Sequence, residues 1–248
     1  MSLREFHNYD MPGRKPVLAW NPLAMRCDRV SEGCRRCWHL KVADRLARNP
    51  ALDEGNRAAY AGLNTPQWTN DATATLPAGR VICVQFMGDL WHPNVHADMR
   101  AAVLSMCGAA PSVFLLLTKR PERVAERIPP NCWLGASAHS AGSLREALAA
   151  LAQTGAARQW VSLEPLLGEA WRGLCYARGG IDFVAAGPET GGGARPCYGT
   201  WIADVAHFCR SFAIPFYDKR PPSKPGFTRR EWPELFHKYT DWEVPHDA

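Results

Sequence analysis

The chain has 248 residues, of which 46% are hydrophobic and 21% charged, with a formal net charge of +5. That length suits one large domain with a complete core, and no stretch approaches the ~20 consecutive apolar residues of a membrane span. Nine cysteines, an odd number, and a polar start over residues 1–15 argue against a disulfide framework and an export signal, so the expectation is a soluble, cytoplasmic protein.

The first β-rich run, Val17–Trp20, leads through Asn21 and Pro22 into Cys27, Cys34 and Cys37, a C-x6-C-x2-C arrangement. Three thiolates on one short loop suit a metal ion or an iron–sulfur cluster. Three protein ligands leave one iron of a four-iron cluster open to a cosubstrate. His39 is an available fourth ligand, so spacing alone serves a Cys3His zinc site equally well. The other cysteines lack this clustering. Cys83 and Cys132 lie in apolar runs and read as buried, inert thiols. Cys107 and Cys209 fall in helical patterns, and Cys175 and Cys197 have no close cysteine neighbour.

Trp38–Arg48 reads as a helix stopped at Asn49-Pro50. Residues 50–79 fit neither helix nor strand and read as a polar excursion, a lid or an insertion. Arg80–Phe86 is a second strand, ending in Gly88-Asp89 with Trp91 and His92 behind. His92 and His96 have i, i+4 spacing but no glutamate follows His92, so they read as an exposed loop and a helix start. Asp98–Cys107 is a helix with Gly108 as its cap. Val113–Leu117 is a strand ending in Thr118-Lys119-Arg120, and Cys132–Ser137 another, leading to His139.

Ser143–Gln153 reads as a helix in which Ser143 and Glu146 form a reciprocal capping box. The strand Gln159–Leu163 runs into Glu164-Pro165. The strand Ile181–Ala186 opens into Gly187-Pro188-Glu189-Thr190-Gly191-Gly192-Gly193, a flexible loop that matches neither the dinucleotide nor the phosphate-loop glycine pattern. Trp201–Ser211 is a helix, Ile214–Tyr217 a strand ending in Asp218-Lys219-Arg220, and Arg229–Tyr239 a last helix interrupted at Pro233. No Gly-x-Ser-x-Gly elbow is present.

Continuous apolar strands alternating with helices predict an α/β fold: a partial or complete parallel (β/α) barrel of six to seven units, with a doubly wound open sheet as the alternative. The whole chain, 1–248, reads as one domain with the excursion at about 50–79 and a basic C-terminal extension at about 219–248. Ligands of parallel α/β folds bind beyond the carboxyl ends of the strands, and this is where the polar residues fall. Lys119 and Arg120 are suited to a carboxylate or phosphate. Lys219, Arg220, Lys224, Arg229 and Arg230, interleaved with Phe227 and Trp232, read either as a solvated basic tail or as a nucleic-acid-binding stretch.

In order, Trp20-Asn21-Pro22, the three cysteines, Asp89-Leu90-Trp91-His92, Leu117 to Arg123, Trp133-Leu134-Gly135, Ser162 to Leu167 and Gly187 to Pro196 resemble a phage-associated three-Cys-motif family of radical-SAM-like proteins. Trp38 stands where that family usually has tyrosine, and Asp218-Lys219-Arg220 replaces a more aromatic ending. The resemblance implies a 4Fe-4S cluster on Cys27, Cys34 and Cys37 and S-adenosylmethionine as cosubstrate. It also implies contacts from Ser137, Glu189, Gly187 and Trp38 to the cofactors, and catalytic roles for Glu164, Asp89 and Lys119. The implied activity is rearrangement or functionalisation of a modified nucleobase in phage DNA, an isomerase or hypermodification reaction driven by an electron-donor protein such as a flavodoxin. A zinc-stabilised nucleic-acid-binding module and a cluster-bearing partner subunit are the alternatives.

Overall fold

The computed structural model describes residues 3–240 apart from Pro12, Arg178, Gly179 and Pro225. Residues 241–248 of the expected basic extension, and Met1 and Ser2 of the polar start, lie outside the described residues. The strands are β1 (Arg4–Glu5), β2 (Leu18–Trp20), β3 (Leu23–Ala24), β4 (Gln67–Trp68), β5 (Val81–Val84), β6 (Val113–Thr118), β7 (Cys132–Ala138), β8 (Gln159–Leu163), β9 (Phe183–Ala186) and β10 (Phe216–Asp218). The helices are α1 (Trp38–Leu46), α2 (Glu54–Ala61), α3 (Ala97–Ala109), α4 (Ala141–Leu151), α5 (Trp171–Leu174), α6 (Gly199–Ser211) and α7 (Glu234–Thr240).

The main sheet has the order β1-β2-β5-β6-β7-β8-β9-β10. All neighbours from β2 to β10 are parallel, and β1 alone is antiparallel. Strand order therefore follows chain order with no reversal. A doubly wound sheet reverses at a switch point, so that alternative is excluded in favour of a curled, mostly parallel half-barrel. No helix of the described residues is long and apolar enough to cross a membrane.

Both faces of the sheet are covered, which is why the strands read as continuous apolar runs. One face (Ile82, Phe114, Leu116, Leu134, Val161, Val184) packs into the large core that also holds residues of α3, α4 and α6. The inner face (Val81, Cys83, Leu115, Trp133, Trp160, Phe183, Tyr217) forms a second core with Tyr9, Trp232 and Phe236. Phe236 of α7 meets the Trp133 ring at 4.7 Å. Tyr9, in a 3-10 turn at His7–Tyr9, stands inside the curl against Tyr217 at 5.6 Å and Trp160 at 6.1 Å.

Trp160 makes an unusual demand on its neighbour. Its indole occupies the space where a Cβ on Gly135 would stand, 2.3 Å from the ring. From there its Nε1 donates to the carbonyls of Leu116 and Trp133, both at 3.1 Å.

Several expectations need correction. Helix α3 runs to Ala109, past Gly108, which is therefore not its cap. Helix α4 starts at Ala141, two residues earlier than expected. Its cap is Ser140, and Ser143 is the reciprocal partner, accepting from the Ser140 N–H at 3.1 Å, with Glu146 taking no part. The last helix begins only after Pro233.

Residues 50–79, expected to fit neither helix nor strand, carry regular structure. They contain α2, capped by Asp53, and β4, which pairs with β3. Tyr60 and Ala59 pack with Ala43 of α1. Helix α2 escaped notice because Glu-Gly-Asn-Arg-Ala-Ala-Tyr-Ala has no apolar stripe.

Substituting Gly135→Ala forces the Trp160 ring out of place and costs about 1–3 kcal/mol. A lowered urea midpoint with an unchanged m-value is the expected measurement.

Candidate functional site

Side chains alternate along a strand, so each inward-facing row of the half-barrel continues upward into the mouth. The rows read Leu115-Leu117-Lys119, Trp133-Gly135-Ser137, Trp160-Ser162-Glu164, Ala185-Gly187-Glu189 and Tyr217-Lys219. Apolar and aromatic residues occupy the lower levels and hydroxyls and charges the upper one. A cavity of about 330 Å³ opens at this level, beyond the carboxyl ends of the strands. Cys27, Cys34, Cys37, Trp38, Asp89, Lys119, Ser137, Glu164, Gly187 and Glu189 all border it. The structure thus brings these ten residues to one cavity, while Arg120 does not border it.

The cysteine loop leaves β3 and makes one 3-10 turn at Glu32–Cys34 before α1. Cys34 N–H donates to Ser31 O at 2.9 Å and Cys37 N–H to Cys34 O at 3.2 Å. The loop passes beside Pro165 at Gly33, where a Cβ would make an ordinary 3.5 Å contact with the proline ring. All three thiols are free, Cys34 buried and the other two half-buried. Burial, reinforced by Asp89, pushes the Cys27 thiol up to about 11. His39 is buried, and neither ring nitrogen has a hydrogen-bond partner among the described residues. Burial and then Arg26 depress it to about 4, so it is neutral at pH 7. Among the described residues, no group of three or more His, Cys, Asp and Glu side chains is gathered closely enough to hold a metal ion.

Asp89 is 3% exposed. It accepts from Trp91 N–H at 3.0 Å, Thr118 Oγ1 at 2.7 Å, Lys119 N–H at 3.0 Å and Arg120 Nη1 at 3.2 Å. Arg120 reaches on to Asp28, beside Cys27. With four donors Asp89 is a hub that fixes the loops after β5 and β6. His92 is buried rather than exposed and lies 3.2 Å from Asp28.

Glu189 is likewise committed. Arg195 grips it through Nε at 3.0 Å and Nη2 at 2.5 Å, and the Arg195 N–H donates at 2.9 Å. Arg195 also donates to the Glu32 carbonyl at 2.9 Å, and Arg36 to the Gly192 carbonyl at 3.1 Å. The glycine-rich loop is therefore latched onto the cysteine loop. Gly193, at φ +71, permits this crossing, because a Cβ would collide with the Arg36 guanidinium at 2.4 Å.

Glu164 faces the cavity with three donors: Lys219 Nζ at 2.5 Å, Ser162 Oγ at 3.1 Å and Tyr9 OH at 3.3 Å. Lys219 Nζ also lies 4.4 Å from the centre of the Tyr9 ring. Burial and then Glu164 raise the Tyr9 phenol well above its ordinary value, so it stays a donor. Tyr9 and Ser162 were missed from the sequence. Tyr9 sits in a polar start, and no spacing rule connects it to Glu164, 155 residues away.

The basic stretch folds inward. Arg220 pairs with buried Asp218, Arg229 with Glu231 at 2.6 Å, and Arg230 donates to the carbonyls of Asp218 and Arg220. Trp232 is buried and Phe227 half-buried. Arg220, Arg229 and Arg230 thus form an internal brace.

A family described as "Protein of unknown function (DUF5131)" matches residues 17–223. No curated protein and no solved structure matches the chain.

Replacing Asp89 by Ala removes the shared acceptor of four donors at once, buried Arg120 among them, and is expected to cost about 3 kcal/mol in chemical denaturation. The Glu189 carboxyl, held below its ordinary 4.5 by the Arg195 hydrogen bonds despite burial, contributes fully above that value and loses its contribution as pH falls through the depressed one. Glu189→Gln should therefore lower the melting temperature near pH 7, with the gap to the parent closing in acid.

Proposed function

For a chain that belongs to the DUF5131 family, we propose the activity of a radical S-adenosylmethionine enzyme, with Cys27, Cys34 and Cys37 as ligands of a 4Fe-4S cluster. The observation that carries the reading is the shared border: three free thiols of one loop line the same cavity as Glu164, Lys119, Ser137, Gly187 and Glu189. The donor set fits the cluster in kind, since all three are soft sulfur ligands and none is bridged. Because no ready-made site exists among the described residues, ligation and closure of this loop go together in the proposal.

When bound, a cluster with one open iron supplies the electron that cleaves the sulfonium and yields a 5′-deoxyadenosyl radical. The chain's own residues have definable tasks in this scheme. Trp38, 46% exposed at the rim, offers an indole face for stacking on adenine or a nucleobase. The Glu189–Arg195 latch holds the glycine-rich loop against the cysteine loop, which excludes water from that wall. Glu164, with Lys219, Ser162 and Tyr9 around it, is the carboxylate placed to accept a hydrogen bond from a substrate amine or hydroxyl, or to take its proton.

The substrate remains, in this reading, a modified nucleobase, met in the cavity rather than on the basic stretch. A flavodoxin-like donor would supply the electron. His39, neutral and unpaired, supports a second reading, a Cys3His zinc site in a nucleic-acid-binding module.

Anaerobic preparation should give a brown protein carrying about four irons per chain. With S-adenosylmethionine, a reductant and nucleosides or DNA, mass analysis should find 5′-deoxyadenosine and an altered nucleoside. Cys34→Ala should abolish both iron retention and 5′-deoxyadenosine. A colourless parent protein with one zinc, or full activity in Cys34→Ala, overturns the reading.

A further inference from the structure

Charge on the cavity wall balances residue by residue, with one exception. Asp28 and Asp89 meet Arg120. Glu164 meets Lys219 at 2.5 Å, Glu189 meets Arg195 at 2.5 Å and Arg36 at 3.9 Å, and Arg220 pairs with Asp218 at 2.6 Å. Lys119 alone among these cations has no carboxylate partner among the described residues.

The Lys119 ammonium donates to Ser137 Oγ at 2.6 Å. A hydroxyl carries a single hydrogen, and that of Ser137 is directed at the Glu164 carbonyl, 3.3 Å away. Ser137 therefore orients Lys119 without neutralising it, and two N–H donors are left over. The backbone of Lys119 is fixed by its N–H to Asp89 at 3.0 Å, so its stem starts from an anchored point. The side chain is half-buried on the cavity wall. Its charge is felt nearby: His139 is depressed by burial and then by Lys119. An oriented, partly desolvated cation with spare donors is favourable only when an anion completes it.

We propose that Lys119 and Ser137 form an anion-binding subsite of the cavity, which takes a carboxylate or phosphate group of a bound small molecule. Arg120, the other candidate from the sequence, is excluded by its two aspartates. The inference deepens the radical-enzyme reading and rests on it only for assigning the cavity to substrate and cosubstrate.

The test is calorimetric titration of the full chain, thiols reduced and no cluster loaded, with inorganic phosphate, acetate and S-adenosylmethionine in turn. Lys119→Gln should weaken at least one of the three by roughly tenfold or more. Lys119→Arg should retain most of that affinity, Lys224→Gln, an exposed position, should change nothing, and all three variants should melt like the parent. The probe that responds identifies the source: phosphate a phosphorylated ligand, acetate a carboxylate, and S-adenosylmethionine alone the cosubstrate's own carboxylate. Equal binding by parent and Lys119→Gln for all three probes, or no binding of any probe by the parent, overturns the proposal. Failure to find iron or 5′-deoxyadenosine would end the radical reading and leave this titration standing.

Discussion

A buried carboxylate holds the mouth of this half-barrel in shape. Asp89 draws together a loop N–H, a threonine hydroxyl, a second loop N–H and a guanidinium. Through Arg120 the same network extends to Asp28 at the root of the cysteine loop. A buried charge is tolerated only when it is fully paired, so these segments have little freedom to separate. The latch from Arg195 to Glu189 and Glu32 does the same across the opposite wall. The cysteines are thus suspended between two ionic fastenings, each belonging to a different strand end.

The lower half of the molecule follows a simpler rule. Inward rows carry tryptophan, phenylalanine and tyrosine at the base, and hydroxyls and charges one or two positions higher. A filled floor and a polar ceiling are the consequence of one alternation running through five strands. The aromatic floor needs Gly135 to admit Trp160, which links a missing side chain directly to the level at which the cavity begins.

Much of this could be read in advance. Each parallel strand announces itself as an apolar run because helices cover one face and an aromatic core the other. Polar residues at strand ends identify the mouth because little else can stand there. What escaped was of another kind. Helix α2 has no apolar stripe, and the start of α4 depended on choosing between two serines three apart. The basic stretch misled because charge pattern does not reveal which arginines have buried acceptors; Asp218 and the carbonyls around it are visible only in three dimensions. Tyr9 reaches Glu164 across a separation no local pattern spans. Asp89 and Glu189 both border the cavity, and the partners that hold them there, which no sequence pattern shows, make them fasteners.

The match to DUF5131 covers residues 17–223, while Tyr9 and Phe236 lie on either side of it and both fill the inner core. A fragment trimmed to the matched span would keep every cysteine and every parallel strand yet lose β1 and three of the aromatic residues packed inside the curl. Its inner core would lack Tyr9, Trp232 and Phe236, and Lys219 would lose the ring beneath it. The span matched by the family is therefore shorter than the span that fills the inner core.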